Sequence, residues 1–71
     1  MITVLANGCF DVLHIGHIQH LREAKAMGHV LMVSVTRDEF VNKGPGRPLY
    51  TLKDRIEVLR SIRFVDVVIP T

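Results

Sequence analysis

Short runs of apolar and β-branched residues alternate along the chain with two longer segments of mixed polarity. Residues 2–6 and 30–35 are short runs rich in β-branched residues and apolar on both faces, which is typical of the central strands of a parallel sheet. A third run, residues 65–69, is stopped by Pro70. The pattern therefore predicts three short strands in one sheet.

Two helices are predicted between these strands. Residues 17–27 place apolar side chains at helical spacing and are followed by Gly28, a residue suited to the positive φ of a helix C-terminus. Residues 51–63 form the second helix, which begins with Thr51 and carries Asp54 three positions later. That spacing resembles a capping box, in which hydroxyl and carboxylate satisfy free amides of the first turn.

The resulting order of strand, helix, strand, helix and strand predicts an α/β fold. With right-handed crossovers it forms the N-terminal βαβαβ half of a doubly wound, Rossmann-like parallel sheet. Because such sheets usually contain two halves, we expect residues 1–71 to be the truncated N-terminal part of a single domain. Residues 36–50 form a long connection rich in glycine and proline, and long ordered loops are usually functional.

The composition indicates a folded protein with a partner. Of 71 residues, 48% are hydrophobic, which is inconsistent with disorder. Folding at this size removes only roughly 60% of the unfolded chain's surface from water. The apolar content exceeds what so short a chain can easily bury, and we therefore expect a homodimer.

Charge and cysteine content indicate what kind of ligand the protein binds and in which cellular compartment it lies. Nine basic and seven acidic residues give a net charge of +2 without any block of like charge, which predicts a small anionic ligand and no nucleic acid. No apolar run approaches the ~20 residues that span a bilayer, so no membrane association is expected. Cys9 is the single cysteine and no signal peptide is apparent, which predicts a reducing, cytoplasmic location.

The candidate chemistry lies where the first strand meets the first helix. Ligands of open α/β sheets bind beyond the carboxyl ends of the strands, and free amides at a helix N-terminus attract anions. Gly8 and Gly16 would let a phosphate approach the backbone there. Neither the dinucleotide-binding glycine pattern nor the P-loop pattern is present, which argues against a dinucleotide-dependent oxidoreductase. A different type of phosphate site is predicted.

His14 and His17 are the side chains that favour this site most. A helical projection puts His17 on the same arc as Leu21, where a lone histidine would usually be a hydrogen-bonded core residue. Two histidines around a glycine at a helix start instead favour phosphate binding. A metal site formed by His14, His17 and His20 is an alternative, because residues three apart on a helix can share an ion.

The segment from Gly8 to His17 reads Gly-Cys-Phe-Asp-Val-Leu-His-Ile-Gly-His. It resembles the G-x-F-D-x-x-H-x-G-H signature of the cytidylyltransferase-like nucleotidyltransferases, and the similarity extends over nearly the whole chain to Pro70. Residues 43–48 are most similar to the nucleotidyltransferase domain of ADP-heptose synthases, which adenylylate a heptose 1-phosphate. Residues 36–40 and 62–70 are equally similar to glycerol-3-phosphate cytidylyltransferase.

The resemblance implies an enzyme that transfers AMP or CMP from ATP or CTP to a phosphorylated sugar or polyol and releases pyrophosphate. ATP and CTP both stay open as donors, and heptose 1-phosphate and glycerol 3-phosphate as acceptors. Mg²⁺ is expected with the triphosphate. A non-catalytic half-domain that binds nucleotide or dimerises is the alternative.

The resemblance also implies site residues. His14, His17 and Lys43 are the catalytic candidates, with both histidines on the phosphates of the nucleotide and Lys43 on the phosphates of the bound substrates. No side chain is expected to act as a resident metal ligand. The nucleotide-binding residues are expected to be Gly8, Cys9, Phe10, Asp11, His14, Gly16 and His17.

Two arginines fall on the apolar arc of the second predicted helix. An arginine on such an arc needs a partner, solvent at the helix end or an anion. We expect Arg55 to bind the acceptor phosphate or pyrophosphate, and a structural ion pair with Asp38 or Asp66 is the alternative. Arg63 is the second substrate-binding candidate, and its alternative is exposure to solvent at the end of the helix.

Overall fold

The computed structural model describes residues 1–71 and contains a three-stranded parallel sheet with two α-helices. The predicted α/β, Rossmann-like βαβαβ order is confirmed. The elements are β1 (Thr3–Gly8), α1 (Ile15–Ala26), β2 (Val30–Val35), a short 3-10 helix (Asp38–Phe40), α2 (Leu52–Arg60) and β3 (Val67–Pro70).

Strand β2 lies between β1 and β3, and the register brings the carboxyl ends of all three strands together. Gly8 at the end of β1 is paired with Val35, which is paired in turn with Pro70 of β3. The ladder continues into the loops, since the Thr36 amide donates to the Gly8 carbonyl at 3.0 Å and the Thr71 amide to that of Val35 at 2.9 Å. This carboxyl edge supports the site described below.

Both helices pack against the same face of the sheet. Leu31, Val33 and Val35 alternate along β2 with no exposed surface, and they share one core with Leu21 of α1 and Leu59 of α2. The buried members of this core are Ala6, Phe10, Leu21, Ala24, Leu31, Val33, Val35, Leu59 and Val68.

The opposite face of the sheet is open in this chain. Leu5 is 63% exposed, Val67 38% and Ile69 37%, and each alternates with a residue that faces the helices. The two faces of the apolar runs are therefore not equally buried in this chain, because its two helices cover one face only.

Helix α1 begins earlier and ends differently from the prediction. It begins at Ile15, since His14 acts as its N-cap, and Met27 is the C-cap with φ −84°. Gly28 does not adopt a positive φ, contrary to the prediction. A Cβ on Gly28 would lie 2.8 Å from both the Ile2 carbonyl oxygen and Val4 Cγ2, so this glycine permits the close approach of β1.

Helix α2 begins with the hydroxyl half of the predicted cap, in which the Thr51 hydroxyl accepts from the Asp54 amide at 3.3 Å, whereas the Asp54 carboxylate does not complete a capping box. It ends at Arg60 rather than at residue 63, because the chain then turns toward β3. At that turn the Asp66 carboxylate accepts hydrogen bonds from the Leu31 amide at 2.7 Å and from Lys25 Nζ at 2.6 Å. Asp66 thereby joins the amino ends of β2 and β3 to α1.

Candidate nucleotide-binding site

The loop between β1 and α1 is shaped by Phe10. This residue has a φ of 52°, in the left-handed region, and its ring is buried at 6% exposure. The ring packs edge-on against His17, with centroids 5.3 Å apart, and a Cβ on Gly8 would lie 3.1 Å from it. The Phe10 ring thus anchors the loop in the core and packs against the ring of His17.

His14 and His17 cap helix α1 through their side chains. His14 Nδ1 accepts from the Gly16 amide at 3.0 Å, and His17 Nδ1 accepts from the His14 amide at 3.0 Å. Because each Nδ1 is an acceptor, each neutral ring carries its proton on Nε2. The cap therefore presents two Nε2–H donors side by side, with ring centroids 4.1 Å apart.

Gly16 is required by this cap. A Cβ at this position would lie 2.7 Å from Cε1 of His14 and 3.1 Å from its Nδ1. A side chain would push the His14 ring away from the amide that it caps. The need for glycine thus comes from the protein's own histidine as well as from the predicted approach of a phosphate.

The surroundings of His17 favour its neutral form. Burial lowers the pKa of His17, and the proximity of the ionisable groups of His14, Lys43 and His20 lowers it further, because any positive charge they carry disfavours a second one on His17. At neutral pH the ring is therefore a hydrogen-bond donor through Nε2–H rather than a cation. The positive N-terminal end of the α1 dipole and the ammonium group of Lys43 supply the charge that attracts an anion here.

Lys43 reaches the same place from the loop between β2 and α2. Its Nζ donates to the carbonyl of Asp11 at 3.3 Å, and its charge contributes to the lowered pKa of His17. The structure therefore brings Lys43 close to His14 and His17, from which it is distant in sequence.

Asp11 is completely buried and holds that loop. Its carboxylate accepts from the Leu49 amide at 2.8 Å, the Tyr50 amide at 3.0 Å and Arg47 Nε at 3.0 Å. With both oxygens engaged and no exposed surface, the Asp11 carboxylate has protein donors on both of its oxygens. The structure gives this carboxylate an anchoring role, the nucleotide-binding role of Asp11 stays a prediction, and Arg47 is a residue that the sequence analysis missed.

The ionisation of Asp11 is secured by its partners. Burial by itself raises the pKa of this carboxyl, but the amides of Leu49 and Tyr50 and the Arg47 guanidinium outweigh that effect and hold the pKa below its usual range. Asp11 is therefore a buried carboxylate at neutral pH, with its charge matched by Arg47.

The Arg55 guanidinium is surrounded by acceptors of the protein itself. It is 2% exposed, its Nη1 donates to the carbonyls of Cys9 at 2.9 Å and Thr36 at 2.7 Å, and its Nη2 pairs with Asp38. Its Nε donates to the Tyr50 carbonyl at 3.0 Å. These acceptors occupy the guanidinium in this structure, so the substrate-binding role of Arg55 stays a prediction that the contacts do not support. The alternative ion pair with Asp38 is the one observed.

Arg63 is also separated from the histidines. It follows the end of α2, beside the amino ends of the strands, while the histidines lie at the carboxyl edge. Its guanidinium lies 5.3 Å from the centre of the Phe64 ring, on which Arg22 of α1 also stacks at 5.2 Å. The substrate-binding prediction for Arg63 is not supported within this chain, because α2 runs away from the site.

A cavity of about 350 Å³ adjoins the site between the β1–α1 loop and α2. Its walls are mainly apolar, and Asp54 adds a carboxylate. The lining residues are Phe10, Val12, Leu13, Tyr50, Asp54, Arg55 and Val58.

No group of three or more His, Cys, Asp or Glu side chains is arranged to hold a metal ion. Neither helix has the length and apolar content needed to cross a membrane.

Comparison with known proteins decides the family. The model of the family described as cytidylyltransferase-like matches residues 5–71. The chain belongs to the cytidylyltransferase-like family. The histidine cap and the Lys43 loop are thus features of a cytidylyltransferase-like chain.

Several members of the family are similar over most of this chain. It is 51% identical over 69 residues to the bifunctional protein HldE of Coxiella burnetii, with 94% of this chain and 14% of that protein covered. It is also 51% identical over 69 residues to the FAD synthase of Pyrococcus abyssi, with 96% and 47% covered.

A solved structure shows the same architecture. The lipopolysaccharide core biosynthesis protein of Thermoplasma volcanium superposes with a TM-score of 0.92 at 37% identity, which covers 100% of this chain and 58% of that one. This cytidylyltransferase-like chain thus spans 14% of the HldE protein, 47% of the FAD synthase and 58% of the chain in the solved structure.

Proposed function

We propose that this chain forms the triphosphate-binding half of a nucleotidyltransferase that transfers AMP or CMP from ATP or CTP to a phosphorylated sugar or polyol. The observation that carries the proposal is the histidine cap, which holds two Nε2–H donors at the N-terminus of α1 beside Lys43. Membership of the cytidylyltransferase-like family supports the reaction class.

The reaction needs charge stabilisation more than covalent chemistry. An oxygen of the acceptor phosphate attacks the α-phosphorus, the bond to the oxygen that bridges α and β breaks, and pyrophosphate leaves with the bonding electrons. Negative charge builds on the α-phosphate oxygens and on the leaving group. His14, His17 and the free amides of α1 would donate hydrogen bonds to that charge, and Lys43 would neutralise it.

Mg²⁺ enters this scheme as part of the substrate. The carboxylate of the β1–α1 loop, Asp11, has both oxygens engaged by protein donors, so the loop does not fit a resident magnesium site. The proposal therefore takes the magnesium complex of the nucleotide as the species bound and assigns no side chain of this chain to the ion.

ATP and CTP are both retained as donors. Similarity of residues 43–48 to ADP-heptose synthases supports ATP and heptose 1-phosphate, whereas residues 36–40 and 62–70 support CTP and glycerol 3-phosphate. A reducing, cytoplasmic setting is part of the proposal, supported by Cys9, a free cysteine.

A non-catalytic assembly module is the second candidate. It is favoured by the open face of the sheet, where Leu5, Val67 and Ile69 are exposed. Covering this face by a second copy would form the expected homodimer. A dimer and a transferase are compatible, so turnover distinguishes a catalytic protein from an assembly module.

The test is pyrophosphate release by the full-length protein, measured with ATP and CTP, each against heptose 1-phosphate and glycerol 3-phosphate. We expect one nucleotide and one acceptor together to give turnover well above that of either alone. Nucleotide binding without pyrophosphate release for any pair would favour the assembly module instead.

A further inference from the structure

We propose that Arg47 is a positioning residue, which together with buried Asp11 holds the β2–α2 loop so that Lys43 lies beside His17. The inference rests on the proposed function only for its kinetic consequence. Its structural content, a dependence of Lys43 on Arg47, can be tested without any reaction.

Lys43 is weakly held by its own contacts. Its side chain is exposed, and its hydrogen bond to the Asp11 carbonyl is long, at 3.3 Å. Gly44 and Gly46, which lie between Lys43 and Arg47, have open space where a Cβ would be, so neither glycine position is held by surrounding side chains. An external contact must therefore fix this part of the loop.

Arg47 provides that contact from the same loop. Its Nε donates to Asp11 Oδ2 at 3.0 Å, and its Nη2 donates to the Asp11 carbonyl, the group that also receives Lys43. The Leu49 and Tyr50 amides bind the same carboxylate from the other end of the loop. The Asp11 carboxylate thus accepts hydrogen bonds from Arg47 and from the end of the loop at Leu49 and Tyr50. Of these donors, Arg47 is the nearest to Lys43 in sequence.

The orientation of Arg47 separates positioning from direct catalysis. Two of its three guanidinium nitrogens are directed at Asp11, which lies inside the protein with no exposed surface. The guanidinium therefore serves the loop, whereas Lys43 keeps an exposed ammonium that can meet a phosphate.

The test is a double-mutant cycle in the full-length protein, read by NMR titration of His17. Its Nδ1, Phe10 and the charges of His14, His20 and Lys43 define its environment. We expect Lys43→Met and Arg47→Ala each to raise the pKa of His17, and the double variant to raise it no more than Lys43→Met alone. Additive shifts would overturn the proposal, since Arg47 would then act independently of Lys43.

Two further variants keep the test specific. Arg47→Lys retains the charge but donates from a single nitrogen, so it should restore part of the coupling. Arg60→Ala removes an exposed cation at the far end of α2 and should leave the His17 titration unchanged. If Arg60→Ala raised the pKa of His17 as much as Arg47→Ala, the shift would reflect only the loss of a positive charge, and the proposal would be contradicted.

Kinetics supply the second arm. If the full-length protein turns over, Arg47→Ala should lower kcat/KM by roughly 10-fold, as should Lys43→Ala, and the double variant should be no worse than Lys43→Ala. Absence of turnover in the unmodified protein would refute the proposed function but leave the NMR cycle intact. A silent Arg47→Ala beside a damaging Lys43→Ala would refute the positioning role.

Discussion

The His14 amide donates to His17 Nδ1 at 3.0 Å while the two rings lie 4.1 Å apart, so the cap of α1 and the proposed phosphate site are one structure. Using Nδ1 for the helix leaves Nε2–H for the ligand. The capping bonds that stabilise the helix start also fix the tautomer and the direction of both donors.

Substitution of His17 can separate these two roles. The side-chain oxygen of Asn can replace Nδ1 as the cap acceptor, but Asn offers no donor at the position of Nε2. We expect His17→Asn in the full-length protein to keep its unfolding midpoint within a few degrees and to lose roughly 10²-fold in kcat, the scale of a lost preorganised donor. His14→Ala should lose kcat to a similar extent. A folded His17→Asn variant with normal kcat would remove His17 from the phosphate site.

Arg55 should affect folding more than turnover. Arg55 is buried but its partner Asp38 is 45% exposed, so the main cost of Arg55→Ala is the loss of the donor to the carbonyls of Cys9, Thr36 and Tyr50, at about 1–3 kcal/mol for a group left unsatisfied away from water. Thermal unfolding should show a large loss of stability for Arg55→Ala. Exposed Arg63 is the matched control, and Arg63→Ala should change stability by less than about 0.5 kcal/mol. Comparable midpoints for the two variants would contradict the buried network.

Acid should weaken the junction of Asp66 with Lys25 and Leu31. The hydrogen bond from Lys25 lowers the pKa of Asp66 most, the Leu31 amide adds to it, and burial opposes them. A carboxyl with a lowered folded pKa stabilises the protein above its unfolded value, here 3.8, and that stability is lost as pH falls through the folded pKa. Urea unfolding from pH 7 to pH 2 should show Asp66→Asn less stable at pH 7 and equal to the unmodified protein at the acid end. If the two proteins differed in free energy of unfolding by the same amount at every pH, the ionisation of Asp66 would not be the cause of the difference.

The fold was predictable wherever apolar pattern and local chemistry agree. The bounds of β2 match the apolar run at residues 30–35, and the Thr51 cap was evident from its spacing to Asp54. Gly28 was identified as important for the wrong reason. Its requirement for close packing against Ile2 comes from a tertiary contact, which a helix C-terminal pattern does not reveal.

The contacts of the charged residues that the sequence did not reveal share a physical cause. Arg55 is satisfied mainly by backbone carbonyls, and Asp11 by two backbone amides, groups that every residue carries and that leave no sequence signal. Arg63 was assigned by extending a helical projection past Arg60, where the helix has ended. One signal was available for Asp11, since a charge among Phe10, Val12 and Leu13 needs a partner, and the loop offers Arg47.

The most direct test of the account observes the imidazole nitrogens of ¹⁵N-labelled full-length protein before and after saturation with the magnesium complex of ATP or CTP. The account predicts that His14 and His17 are both Nε2–H tautomers near neutral pH and that both Nε2 resonances shift with nucleotide. His29 is the internal control, since its Nδ1 accepts from the Ile2 amide at 2.9 Å at the opposite edge of the sheet, and its signals should stay in place. An Nδ1–H tautomer at either residue of the pair, or Nε2 signals unmoved by saturating nucleotide, would contradict the account.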